Sequence, residues 1–114
     1  MHILLVEDHN DTRTVLSKLL SHCGYDVAAA ENVRDALSLL HNFRFDVLLS
    51  DIGLPDGDGF GLVAEAKRRQ RLRAVALTAL ASDSDRQHGR EAGFDDYLTK
   101  PLDFGRLRAV LGSC

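Results

Sequence analysis

Glu7 and Asp8 directly follow the apolar run HILLV, and Asp51 directly follows FDVLLS. Thr78 lies near the end of AVALTA, and Lys100 stands just after DYLT, followed by Pro101. If these runs lie side by side, three carboxylates, a hydroxyl and an ammonium meet on one rim. Carboxylates at short range repel one another, and their ionised forms call for a compensating cation. Their hard oxygen donors suit Mg²⁺ (or Mn²⁺) better than zinc or copper. A carboxylate beside such an ion, a hydroxyl and a lysine is equipped as a nucleophile toward phosphorus. Charge developing on the phosphoryl oxygens would be met by the metal, by Thr78 and by Lys100, which serves as a point charge rather than a base.

The elements that must position these groups follow from hydrophobic periodicity. Short apolar runs at 2–6, 25–30, 45–50, 74–79 and 96–99 alternate with amphipathic segments, giving five β-then-α units. Val15, Leu16, Leu19 and Leu20 mark the inner face of the first helix, and Gly24 its stop. Asn32 caps a second helix that buries Val33, Ala36, Leu37 and Leu40. Phe60, Val63, Ala64 and either Ala66 or Lys67 form the inner face of the third. A polar helix over 83–92 ends near Gly93, and Phe104, Leu107, Val110 and Leu111 mark the last. Strands that are apolar throughout are buried on both faces, so the pattern predicts a doubly wound α/β sandwich with a parallel sheet. In such a sheet, ligands bind beyond the carboxyl ends of the strands. That is where the five polar residues fall.

Composition narrows the alternatives. The 114 residues suffice for one compact domain, expected to span 1–114, and the net charge of −3 does not favour bulk nucleic-acid binding. No apolar run approaches the roughly 20 residues that span a bilayer. Cys23 and Cys114 are read as free thiols in a reducing compartment. The chain is therefore expected in the cytoplasm, without direct nucleic-acid or membrane contact. His2, His9, His22, His41 and His88 show no ligand spacing and are placed on the surface.

Taken together, VED, LLSDIGLPDGDG, ALTA and DDYLTKP resemble the receiver domain of two-component response regulators, over essentially the whole chain. The resemblance implies a flavodoxin-like (βα)5 fold with strand order 2-1-3-4-5. It implies that Asp51 accepts a phosphoryl group from a phosphohistidine on a histidine kinase or a histidine phosphotransfer domain. It implies Mg²⁺ bound by Asp8, Asp51 and the Gly53 backbone carbonyl, with Glu7 acting mostly through water. Thr78 and Lys100 would meet the phosphate, Thr78 and Tyr97 would form the switch, and the Lys100–Pro101 bond would be cis. Such a domain phosphorylates and dephosphorylates itself. DIGLPDGDGF with GFDDYLTKPLDFGRL is most similar to receivers of hybrid sensor histidine kinases, which would imply a kinase module outside this chain; a stand-alone regulator and a receiver cut from a transcription factor are the open alternatives. Gly53, Gly57 and Arg73 depart from the commonest pattern, which bears on rates and loop packing rather than on the reaction.

Rival readings are weaker on the residues themselves. An aspartyl-phosphate phosphatase of the haloacid dehalogenase type would need a second acid two positions after its nucleophile, where Gly53 stands, and a longer chain. A receiver-like module that is never phosphorylated would not need every site residue in place. A calcium loop beginning at Leu54 would align Asp56, Asp58, Gly59 and Glu65 with ligand or turn positions, but its first ligand is missing. Asp56 and Asp58 are read instead as loop and cap residues, with Asp58 capping the next helix. KRRQRLR is read as a solvated helix C-terminus. SDSDRQHGREAG, with Gly89 mid-helix and few apolar anchors, is read as a labile switching element.

Overall fold

The computed structural model describes residues 1–79 and 83–112, with the backbone alone for 83–86. A parallel sheet is built from β1 (His2–Val6), β2 (Asp26–Ala30), β3 (Val47–Asp51), β6 (Arg73–Thr78) and β7 (Asp96–Thr99). Its order is β2-β1-β3-β6-β7, which is 2-1-3-4-5 when only the sheet's own strands are counted. The intervening helices are α1 (Asn10–His22), α2 (Val33–Asn42), α3 (Gly59–Arg69), α4 (Asp83–Ala92) and α5 (Phe104–Leu111). Two short strands, β4 (Gly53–Leu54) and β5 (Gly57–Asp58), pair antiparallel just after β3.

Strand pleating divides the core into two layers. From β1, Ile3 and Leu5 join Leu16, Leu20, Leu107 and Leu111 under α1 and α5. Leu4 and Val6 point the other way, to Ala36, Leu40, Leu62, Val63 and Phe94 under α2 and α3. All five residues of β3 are buried, as expected of a central parallel strand covered on both faces. The registers Val6↔Ser50 and Asp51↔Leu77 set the ends of β1, β3 and β6 level with one another. The residues that follow them therefore share one rim.

Several expectations need correction. Val15 is 56% exposed, because the buried stripe of α1 is the pair Leu16 and Leu20 and Val15 lies about 100° round the helix from Leu16. Ala64 is exposed, and Leu62 takes the buried position on α3. Phe104, at the start of α5, is 38% exposed. β3 begins at Val47 and includes Asp51, and the loop after it contains the β4–β5 hairpin. Cys23 is disulfide-bonded, not a free thiol; Cys114 lies outside the described residues. The five histidines are exposed, as the sequence suggested. Asn32 does cap α2, accepting from the Asp35 backbone N–H at 2.7 Å. Among the described residues, no helix is long and apolar enough to cross a membrane.

Candidate functional site

Asp51 ends β3 and is 4% exposed; Glu7, just past β1, is fully buried. Lys100 enters from the turn after β7 and places its Nζ 2.6 Å from Asp51 Oδ1. The same ammonium lies 3.1 and 3.2 Å from the two oxygens of Glu7. One cation thus serves two buried carboxylates. Asp8 is exposed beside them, and Glu7, Asp8 and Asp51 offer carboxylate oxygens within 4.8 Å of one another. Asp51, Ile52, Gly53, Leu77, Thr78, Ala79 and Lys100 line a cleft of about 370 Å³. Thr78 is 8% exposed at the end of β6, and its carbonyl accepts from the Lys100 N–H at 2.8 Å. The Lys100–Pro101 peptide bond is cis.

The electrostatics follow from this crowding. Burial pushes the Asp51 pKa up from 3.8 to about 7; its hydrogen bond to Glu7 adds to the rise, and Lys100 partly opposes it. Burial alone would lower the Lys100 pKa. Its hydrogen bond to Asp51, the charge of Asp51 and then Glu7 outweigh that and hold it above the ordinary lysine value. The site is therefore short of positive charge when both acids are ionised. Three carboxylates, one of them exposed, and no nitrogen or sulfur donor in the cluster suit a hard divalent cation. The donor set fits Mg²⁺.

The structure brings Glu7, Asp8, Asp51, Gly53, Thr78 and Lys100 together. Tyr97 stands outside the cleft: its ring is tilted against Phe94 with centroids 6.2 Å apart. Its hydroxyl fills the space over Gly89 of α4, where an added Cβ would lie 1.4 Å from it.

Residues 3–112 match the family model for the response regulator receiver domain. The chain belongs to that family. It is 45% identical over 106 residues to an uncharacterized 14.6 kDa protein of Leptolyngbya boryana, covering 90% of this chain and 81% of that one. It is 39% identical over 113 residues to the transcriptional regulatory protein AfsQ1 of Streptomyces coelicolor, but spans only half of that protein's length while 96% of this chain is covered. Among solved structures, the chemotaxis protein CheY4 of Vibrio cholerae superposes with a TM-score of 0.91 at 30% identity, covering 97% of this chain and 95% of that one. The BeF3-activated receiver of Klebsiella pneumoniae RstA also gives 0.91, at 28% identity, with 98% and 96% covered. Receiver domains accept phosphoryl groups in two-component signalling and work with histidine kinases or phosphotransfer partners.

Several residues that shape this receiver's site carried no clear signal in the sequence. Gly59 must be glycine, because a Cβ there would stand 2.4 Å from the Asp51 carbonyl oxygen. The Gly59 N–H donates to the Ile52 carbonyl at 2.6 Å, folding the loop back against β3. Asp56 spans the loop to α2 and accepts from the Val33 and Arg34 backbone N–H groups at 2.8 and 3.0 Å. Those bonds hold its carboxyl below the usual carboxylate range. Asp58 caps α3 by accepting from the Gly61 N–H at 2.8 Å, as the sequence suggested. Glu65 is engaged by Arg68 and Arg69, both at 2.7 Å. The acids of the rejected calcium alignment are therefore committed elsewhere, and KRRQRLR is partly neutralised by its own helix.

Proposed function

We propose that Asp51 is the phosphoacceptor of this receiver and that residues 1–114 act as one phosphoryl-receiving unit. The observation that carries this reading is a buried strand-end carboxylate 2.6 Å from a lysine ammonium and within reach of two further acids. In the reaction an Asp51 Oδ attacks the phosphorus of a partner's phosphohistidine. The new P–O bond forms as the P–N bond breaks, and the imidazole leaves with the electron pair and takes up a proton. Glu7, Asp8, Asp51 and the Gly53 carbonyl would hold Mg²⁺ (or Mn²⁺), which supplies neutralisation of the phosphoryl oxygens. Lys100 loosens its bond to Asp51 as the carboxylate loses its charge on becoming an acyl phosphate, and its ammonium turns to the new phosphoryl charge. Thr78, which lines the same cleft, donates its hydroxyl to a phosphoryl oxygen, and Tyr97 follows it as the switch aromatic.

The partner is a histidine kinase or a histidine phosphotransfer domain. The chain spans half or less of the length of the transcriptional regulators it matches, so its output is a separate question. Attachment to a hybrid sensor kinase is the reading that the loop and C-terminal motifs favour. Incubation with acetyl phosphate and Mg²⁺ is expected to add one phosphoryl mass to the wild-type chain and none to Asp51→Asn. An undiminished adduct on that variant, or none on wild type, would reject the proposal.

A further inference from the structure

The acidic pair is held through its backbone by a side chain that makes no hydrogen bond or ion pair with its carboxylates. Arg13, in the second turn of α1, donates from Nη1 to the Glu7 carbonyl at 2.9 Å. The same nitrogen lies 3.5 Å from the Asp8 carbonyl, and Nη2 donates to the Asn10 side-chain oxygen. Nη2 is also 3.7 Å from a carboxylate oxygen of Glu31, just beyond β2, and the Arg13 side chain is only 20% exposed. On its other side Glu7 donates its N–H to the Ala30 carbonyl at 3.0 Å. Both backbone polar groups of Glu7 are therefore fixed.

A guanidinium is a rigid planar fork, suited to holding several acceptors in one geometry. Two of those acceptors, the Glu7 and Asp8 carbonyls, belong to the three-residue link between β1 and α1, and a third is the side chain of the first residue of α1. The helix does not depend on Arg13 for its cap, because His9 Nδ1 already accepts from the Thr12 N–H at 3.3 Å. Fixing the Glu7 carbonyl fixes the plane of the Glu7–Asp8 peptide, and the same nitrogen beside the Asp8 carbonyl restrains the next plane; together they set the direction in which the Asp8 side chain leaves the backbone. Groups that orient metal ligands from behind typically account for ten- to a hundredfold in metal affinity.

We infer that Arg13 is a positioning residue: it aims the Glu7–Asp8 pair at the cation site through their backbone. This rests on the proposed reading of the cleft as a divalent-cation and phosphoacceptor site. Charge and geometry make opposite predictions. Removing a cation next to an acidic cluster should tighten Mg²⁺ binding if only Coulomb attraction matters. Removing a positioning residue should weaken it.

Mg²⁺ titration by calorimetry on the full chain separates the two. Arg13→Ala is expected to weaken Mg²⁺ binding about tenfold, and Arg13→Lys to recover part of that loss. At saturating Mg²⁺, phosphoryl uptake by Arg13→Ala from acetyl phosphate should return to near the wild-type rate. Unchanged or tighter Mg²⁺ binding by Arg13→Ala would overturn the inference. If that variant does not fold, Arg13→Lys decides, with weaker binding than wild type expected for a missing fork and wild-type affinity counting against it. Failure of wild type to bind Mg²⁺, or wild-type affinity in Asp8→Asn, would overturn the cation site and this inference together. A normal wild type beside an unaffected Arg13→Ala overturns this inference alone.

Discussion

The β1–β3 side of the sheet's carboxyl rim and the β7–α4 side are held by different means. Every residue of β3 is buried, and Glu7 is fixed through both backbone groups and both carboxylate oxygens. On α4, by contrast, Gln87, His88, Arg90 and Glu91 are exposed and Gly89 is buried. That helix is seated by small residues and aromatic contacts: His88 stacks on Phe60 with centroids 4.2 Å apart, and Tyr97 lies over Gly89. A site for covalent chemistry needs groups fixed within fractions of an ångström. An element that reports on that chemistry needs to move at low cost, and such elements come from the weakly packed end of a fold. The tightly held acids and the lightly seated α4 follow different strands of the sheet.

Removing the lysine tests the rigid side most severely. Lys100→Ala leaves Glu7 and Asp51 buried without their shared ammonium, and a loss of about 3 kcal/mol is expected for breaking such a pair. Urea unfolding without divalent cations should show it, and added Mg²⁺ should restore part of it. Loss below about 0.5 kcal/mol would mean that this side is no tighter than a surface ion pair.

The raised Asp51 pKa gives a pH signature. Its folded value of about 7 exceeds the ordinary 3.8, so the protonated form is the one favoured by folding. That contribution is fully present below about pH 4 and is lost as pH rises through 7. Mg²⁺ requires the ionised form, so its apparent affinity should fall about tenfold per pH unit below pH 6.5. A flat affinity between pH 5.5 and 8 would place the ion away from Asp51.

On the α4 side the expected effect is smaller. Gly89→Ala puts a methyl group where the Tyr97 hydroxyl stands, so either the ring swings out or α4 lifts. Lost packing, of order 1–3 kcal/mol, is offset by about 1 kcal/mol of helix propensity. A net loss of about 1 kcal/mol is expected, with Tyr97 becoming accessible to a fluorescence quencher. An unchanged tyrosine signal would mean that the notch does not govern its pose.

Much of this architecture could be read from residue patterns. Continuous apolar runs placed all five sheet strands, and the polar residues at the ends of four of them placed Glu7, Asp8, Asp51, Thr78 and Lys100 on one rim. Helix faces were less clear. A stripe of alternating size such as Val15-Leu16 does not say which of two adjacent apolar residues turns inward, and Val15 turned out. Interactions across long sequence separations were not visible at all. Arg13 binds backbone carbonyls, which leave no mark in a sequence. Gln70 joins Phe45, Leu40 and Phe43 through one buried amide, yet reads simply as a polar residue after a helix.

The loop after β3 is hung from α2 as well as from its own ends. Asp56 supplies two bonds to the first turn of α2, and a Cβ on Gly57 would stand 3.2 Å from Val33 Cγ2. Surface loops ordinarily absorb insertions and deletions with little penalty. This one is an exception, because lengthening it by a residue would shift Asp56 off a helix that begins 23 positions upstream. Its length is therefore constrained by a neighbour to which it is not directly joined in the chain. Engineered tags or reporters near the cleft belong elsewhere.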